Sequence, residues 1–274
     1  MADLIGHLIN RMKIEQITSA QNPKFKNLLL LQEKSKARRE QGLFVVEGRR
    51  EIGHALGAGF RAKTLFIRED LLPALEPLAA QAASPVVLLS PALYAKAAYR
   101  EGTEGVIAEM EVKERRLEDL VLGKAPLVVV LESVEKPGNL GAVLRSADAA
   151  RADAVIVCDP LTDLWNPNLI RASLGGIFTV PTVCASSEEA IAWLRARGIR
   201  ILTAQLQDSA WYYDIDMTVG TALVMGTEST GLTDAWRAAA DAHIRIPMLG
   251  RLDSLNVSVS AAILLFEAVR QRHA

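Results

Sequence analysis

In the second half of the chain the aliphatic residues gather into short runs at 127–131, 154–157, 200–203, 222–225 and 243–246, the first, second and fourth of them unbroken. Between these runs, and after the last, they return at helical spacing over 140–150, 168–175, 187–197, 234–240 and 257–272. Runs of four or five suit strands buried on both faces, whereas the i, i+3, i+4 spacing suits helices with one buried stripe. Such alternation predicts a parallel sheet with helices on both sides. The last stretch is different. From Val257 to Val269 it is apolar nearly all round, so it is expected to be covered on several sides, by its own domain or by a second subunit.

The first half has another rhythm. Phe25, Leu28, Leu29 and Gln32 predict one helix over 25–41, stopped by Gly42. Strands are expected at 43–46, 64–67 and 86–89, and a helix at 49–56. Ser90 and Pro91 open a further helix, the serine as cap and the proline in its first turn. The result is a small mixed α/β domain over residues 13–112. The charged stretch that follows reads as a linker over 113–125, which leaves 126–274 for the parallel-sheet domain.

Composition adds bounds. The chain has 274 residues, 50% of them hydrophobic, enough for two packed cores. No apolar run approaches the roughly 20 residues of a membrane span. The start, with Asp3 and His7, lacks the basic-then-apolar order of a signal peptide, so a cytoplasmic protein is expected. Cys158 and Cys184 stand far apart without metal-ligand spacing, and neither a disulfide framework nor a metal site is expected. The formal net charge is −1, yet residues 11–50 hold ten Lys and Arg against four Glu. That local excess is either a footprint for phosphates or a solvated helix face, and charge alone leaves both open. Lys24, Lys26, Lys36, Arg38, Arg39 and Arg49 are the candidate phosphate contacts.

Ligands of parallel α/β sheets sit beyond the carboxyl ends of the strands, which directs attention to three loops. The first reads ESVEKPGNLGAVLRSADAA; Asn139 is placed to cap the next helix, whose stripe is Leu140, Val143, Leu144 and Ala147, and Arg145 lies off that stripe. The second reads GTESTGLT, with Gly226 and Gly231 on either side of Glu228. The third reads IPMLGRLDSLNVSVSAAILLFE, with Ser254 and Asn256 just before the final helix. Taken singly, a surface arginine, a glycine turn and a pair of N-cap residues explain them. Taken together, they occupy the same place in three strand–helix units. No GxGxxG loop of the ordinary dinucleotide-binding kind is present.

These motifs resemble those of the SpoU (TrmH-type) family of RNA ribose 2′-O-methyltransferases, within the SPOUT superfamily. NLGAVLRSADA, LVMGTESTGL and IPMLGRLDSLNVSVSAAILLFE match its three signatures, and RASLGGIF at 171–178 matches its intervening stretch. The segment ITSAQNPKFKNLLLLQEKSKARREQGLFVVEGRR is similar to the family's N-terminal substrate-binding domain, a small α/β module related to ribosomal RNA-binding proteins. One position departs: the family commonly has Gly where this chain has Arg151, so an altered turn into the second strand is expected.

The resemblance implies a parallel-sheet SPOUT domain tied in a trefoil knot, a homodimer, and S-adenosylmethionine as cofactor. It implies that backbone groups around Gly226, Ile246 and Leu255 hold the cofactor bent, and that Asn139, Arg145, Glu228, Ser254 and Asn256 carry the chemistry. The implied substrate is RNA, and the N-terminal extension leans toward ribosomal rather than transfer RNA. Because a guanidinium is hard to deprotonate, Arg145 is expected to stabilise the developing alkoxide or a nearby phosphate, oriented by Glu228 or Asn139. Two readings of other classes compete. A non-catalytic RNA-binding protein on the same scaffold would be expected to lack Arg145, Glu228 or Asn256. An α/β enzyme acting on small molecules with a nucleotide cofactor leaves the basic segment without a reason.

Overall fold

The computed structural model describes residues 13–99, 104–227, 230–252 and 254–273. The chain divides into two compact units: Met1–Lys113 with Trp165–Arg171, and Glu114–Leu164 with Ala172–Ala274.

The first unit is a mixed five-stranded sheet of β1 (Ile14–Ile17), β2 (Leu43–Glu47), β3 (Ala62–Arg68), β4 (Val86–Leu89) and β5 (Val106–Glu111), in the order β1-β4-β3-β5-β2. β5 runs antiparallel to both neighbours, and the other pairs are parallel. Its helices are α1 (Pro23–Glu33), α2 (Ser35–Gln41), α3 (Arg49–Gly57), α4 (Leu72–Ala82) and α5 (Pro91–Ala97). The single helix expected over 25–41 is therefore two. Lys34 is extended (φ −109°, ψ 109°), and Arg38, buried at 3% exposure, donates to the Leu31 carbonyl at 2.6 Å and the Gln32 carbonyl at 3.1 Å. A side chain thus satisfies the carbonyls that the break leaves orphaned. Gly42 ends α2 in the left-handed conformation, and Ser90 caps α5 by accepting from the Leu93 amide at 3.3 Å, both as expected. Inner strand β5 has no counterpart in the sequence reading, because Glu109 and Glu111 interrupt its apolar run. Glu109 is nevertheless buried, bonded by Asn27 at 3.3 Å, and burial pushes its carboxyl above the usual range. Trp165 stacks on Phe44 (ring centroids 4.4 Å apart) and meets Phe60 edge-on. α7 (Pro167–Ala172) supplies most of this unit's second piece.

The second unit is a seven-stranded sheet: β6 (Leu127–Glu132), β7 (Ala154–Cys158), β8 (Thr182–Ala185), β9 (Arg200–Ala204), β10 (Ala210–Trp211), β11 (Thr221–Met225) and β12 (Ala242–Arg245). The order is β10-β12-β9-β11-β6-β7-β8, with every neighbouring pair parallel. Strands β6, β7 and β11 are buried along their whole length, which is why they read as unbroken apolar runs. Around them lie α6 (Pro137–Ala149), α8 (Gly176–Thr179), α9 (Ser187–Ala196), α10 (Asp234–Ala239) and α11 (Val257–Arg272). Val128, Val130, Ile156, Val224, Leu194 and Trp236 form one core; Leu117 and Leu120, from the stretch expected to be a linker, belong to it.

Two helix starts repay attention. Asn139 does not cap α6. Pro137, with its fixed φ, takes the first helical position, Lys136 stands at the cap position and does not cap the helix with its side chain, and Asn139 falls in the first turn. Asn256 does cap α11, accepting from the Ser258 amide at 3.0 Å. In α11, Val257, Ala261, Leu264, Leu265 and Ala268 are buried within the unit, whereas Val259 and Phe266 are about half exposed (46% and 49%). The turn after α6 is made at Arg151, with φ +52°. Among the described residues no helix is long and apolar enough to cross a membrane.

Candidate active site

The three loops leave the carboxyl ends of β6, β11 and β12. The first two strands are neighbours; β12 stands two places from β11, beyond β9. The third loop reaches the first because α11 packs against α6. There Asn256 Nδ2 donates to Asn139 Oδ1 at 3.1 Å, while its own Oδ1 holds the start of α11. One side chain serves both the bland role and the specific one.

A small cavity of about 120 Å³ marks the convergence, lined by Lys136 and Asn139 of the first loop, Gly226 and Thr227 of the second, and Val257 at the start of α11. A larger cavity of about 410 Å³ shares Gly226, Thr227 and Val257 and extends past Ile246, Ser254 and Leu255. The expected backbone trio of Gly226, Ile246 and Leu255 therefore lines one space. Gly226 admits no side chain: a Cβ there would stand 2.2 Å from the Gly231 carbonyl oxygen and 2.6 Å from the Leu232 amide nitrogen. The loop returns on itself at that point, with a bridge between Thr227 and Gly231 and the Gly231 amide donating to the Thr227 carbonyl at 3.0 Å. The glycine is required first by the loop's own path.

The larger cavity suits a nucleoside with an aliphatic arm. Met225, Leu232, Ile244, Met248 and Leu264 give it apolar walls. Gln205 Oε1 and Arg245 Nε, on residues that also line it, are buried without a hydrogen-bond partner among the described residues. An acceptor and a donor in that state are costly in an apolar wall, and a polar ligand offsets the cost. Among the described residues no group of His, Cys, Asp and Glu is arranged to hold a metal.

The remaining site candidates are placed as follows. Ser254 is exposed at the cavity wall. Arg145 is exposed on α6, six residues and about 9 Å along the axis from Asn139. The fold of the chain does not join its guanidinium to the asparagine pair. Glu228 lies outside the described residues. The basic candidates all belong to the first unit. Lys26 and Arg39 are exposed; Lys24 pairs with Glu15, Lys36 with Glu40 at 3.7 Å, and Arg49 Nη2 donates to the Ala74 carbonyl at 2.8 Å. Surface pairs of this kind are worth about 0–1 kcal/mol and exchange readily for a phosphate. Arg38 is the correction: it is buried, and its guanidinium is occupied at the end of α1. A further cavity of about 330 Å³, beside Glu47, Glu51, Tyr99 and Arg171 in the first unit, brings together none of the three loops.

Sequence reasoning missed four contributors. Gly176, in RASLGGIF, lies against the backbone of α6: a Cβ would meet the Leu144 carbonyl oxygen at 3.1 Å. Gln205 and Arg245 lie in stretches without any motif. Glu132, the first letter of the first loop, is buried. Its one visible signal is a charge at the end of an apolar run.

Fold and site together define a two-unit α/β protein with a nucleoside-sized cavity built from the strand-end loops of a parallel sheet. The chain belongs to the SpoU rRNA Methylase family, whose model matches residues 126–266, and the model of the MRM3-like substrate binding domain matches residues 22–108. It is 32% identical to the 23S rRNA (uridine(2479)-2'-O)-methyltransferase of Streptomyces viridochromogenes, over 94% of this chain and 92% of that protein. It is 29% identical to the 23S rRNA (guanosine(2553)-2'-O)-methyltransferase RlmP of Bacillus subtilis, over 92% and 98%. The crystal structure of an AdoMet-bound rRNA methyltransferase from Sinorhizobium meliloti matches with a TM-score of 0.87 at 32% identity, covering 94% of this chain and 98% of that one.

Proposed function

We propose that this protein transfers a methyl group from S-adenosylmethionine to a ribose 2′-hydroxyl of ribosomal RNA. The observation that carries the reading is the convergence of three separate loops, sealed by the 3.1 Å bond between Asn256 and Asn139, beside a cavity of about 410 Å³. When bound, S-adenosylmethionine supplies an electrophilic methyl on a sulfonium sulfur. Transfer would join the ribose oxygen to that methyl as the S–C bond breaks, with S-adenosylhomocysteine as the leaving group and the hydroxyl proton passing to solvent. The chain's part is alignment and charge. The walls around Gly226, Ile246 and Leu255 hold the donor, and Asn139, Ser254 and Asn256 orient the reacting groups. Arg145 stabilises the oxygen as negative charge develops, with Glu228 orienting it. The test is transfer of labelled methyl to ribosomal RNA followed by nucleoside mapping. Label is expected on a ribose, and substituting 2′-deoxyribose at the target abolishes it; label on a base refutes the reading.

The first unit, taken as the RNA-holding domain, presents Lys24, Lys26, Lys36, Arg39 and Arg49 to phosphates. Affinity is expected to fall as salt rises, and the slope to shrink by about one for each contact removed. A homodimer belongs to the same reading. Val259 and Phe266 on α11, with Leu249 (93% exposed) and Leu252 (76%) in the third loop, support a second subunit as cover, and Arg145 then stands where an incoming RNA or that subunit can reach it. Sedimentation finding a fully active monomer refutes the dimer. The trefoil knot and a cytoplasmic location complete the reading, the first implied by the family resemblance and the second by the RNA substrate.

A further inference from the structure

The second loop is held from behind by a carboxylate. Glu132, the last residue of β6, is 3% exposed. Its Oε2 accepts from the Thr233 amide at 2.9 Å, and its Oε1 accepts from the Thr233 hydroxyl at 2.7 Å. The Ser187 hydroxyl lies 3.1 Å from Oε1, donates to Asp159 at 2.6 Å, and accepts from Trp236 Nε1 at 2.9 Å. Thr233 stands at the cap position of α10, where a threonine oxygen ordinarily accepts from the first turn. It makes no such cap, and its hydroxyl turns to Glu132 instead. A buried carboxylate needs donors around it. Here the loop's exit supplies two of them.

The consequence lies in where that loop starts and ends. It leaves β11 at Met225, whose partner in register on β6 is Leu131. It returns at Thr233, bonded to Glu132. Two consecutive residues of β6 therefore fix both ends of the stretch 226–232, whose Gly226, Thr227, Thr230, Gly231 and Leu232 line the larger cavity. Within it Gly226 is pressed against Gly231, where a Cβ would stand 2.2 Å from the carbonyl oxygen. We infer that Glu132 is a positioning residue for the methyl donor: acting through Thr233 it sets the cavity wall, and it touches neither donor nor RNA. The inference rests on the cavity being the donor's.

Calorimetry with S-adenosylmethionine and S-adenosylhomocysteine on the full chain tests it, with turnover at saturating donor as the second readout. Glu132→Gln keeps the shape and replaces an acceptor with a donor facing Thr233. Binding is expected to weaken about tenfold, the KM for the donor to rise in step, and saturated turnover to stay within about twofold. Thr233→Val removes the hydroxyl alone, and a loss of about threefold is expected. If Glu132→Gln does not fold, Thr233→Val decides. Arg272→Ala, destabilised at the opposite end of the sheet, is expected to bind normally; an equal loss there would assign the effect to general loosening and overturn the inference. Gly226→Ala reports on the cavity itself. If it abolishes binding while the Glu132 or Thr233 variant binds normally, only the positioning role falls. If all three bind normally, the cavity assignment falls, and the inference with it.

Discussion

The two ends of the parallel sheet treat their polar groups in opposite ways. At the amino end the fold satisfies its own. Asp153 accepts from the Leu127 amide at 2.7 Å, and Asp241 accepts from the Ile201 amide at 2.7 Å. Arg272, near the end of α11, donates to the carbonyls of Ala125 at 2.7 Å, Val219 at 2.8 Å, Met217 at 2.9 Å and Pro126 at 3.3 Å. At the carboxyl end, Gln205 Oε1 and Arg245 Nε are buried without a hydrogen-bond partner among the described residues, Gly226 is pressed onto Gly231, and Arg145 stands exposed. Groups that a chain pairs internally serve stability, or, like Glu132, hold a cavity wall in place. Groups held ready and unpaired serve a ligand. Substitutions at the two ends should therefore separate stability from activity.

The largest effect is expected from Arg145→Ala. If the guanidinium stabilises developing charge, turnover at saturating donor falls a hundredfold or more, about 3 kcal/mol, while donor affinity and the thermal midpoint stay unchanged. Near-normal turnover, measured beside calorimetric affinity, would remove Arg145 from the chemistry. Arg272→Ala is the converse experiment. Losing one cation that holds four carbonyls should destabilise by about 2–3 kcal/mol, read from denaturant unfolding, with donor affinity intact. A large loss of affinity there would erase the division between the ends.

The parallel sheet was legible because strands buried on both faces cannot hide their apolar runs, and the three loops because they recur at one place in three strand–helix units. Asn256 was legible for two reasons at once, since the residue that caps α11 also reaches Asn139. What escaped has physical causes. Arg38 reads as part of a basic patch, yet its side chain closes the end of α1, and no glycine or proline announces the break at Lys34. β5 escaped because a buried glutamate looks like a surface one in a string of letters. Glu132 escaped for the same reason. Its partners Thr233 and Ser187 are far off in sequence, and only the sheet order brings them together.

The amino-end network also carries a pH dependence. Glu267 is held below the usual carboxylate range, chiefly by the side-chain hydrogen bond from Arg270. It also accepts from Gln271, whose Oε1 in turn receives the Met217 amide. A depressed native value means that the contribution is fully present above about pH 5 and is lost as the pH falls through that native value. Thermal midpoints measured from pH 7 down to 3 should decline in the acid range, and Glu267→Gln should flatten part of that decline. An unchanged slope would show that the carboxylate does not matter there.

Arg151 provides the smallest and cleanest test. It sits just past α6, on the way into β7, with φ +52°, its amide bonded to the Asp148 carbonyl at 3.0 Å. A left-handed conformation costs a side-chain-bearing residue about 1–2 kcal/mol relative to glycine, which adopts it freely. The Arg151 side chain is exposed. Arg151→Gly should therefore relieve the strain, offset in part by the greater freedom glycine brings to the unfolded chain. A net gain of about 0.5–1 kcal/mol is expected, or roughly 1–3 °C in the midpoint, with donor binding and turnover unmoved. Because α6 also carries Asn139 and Arg145, the result bears on the comparison directly. If straightening the exit of that helix changed turnover, the strain at Arg151 would be holding the first loop in place, and the boundary between the two ends would run through α6 rather than around it.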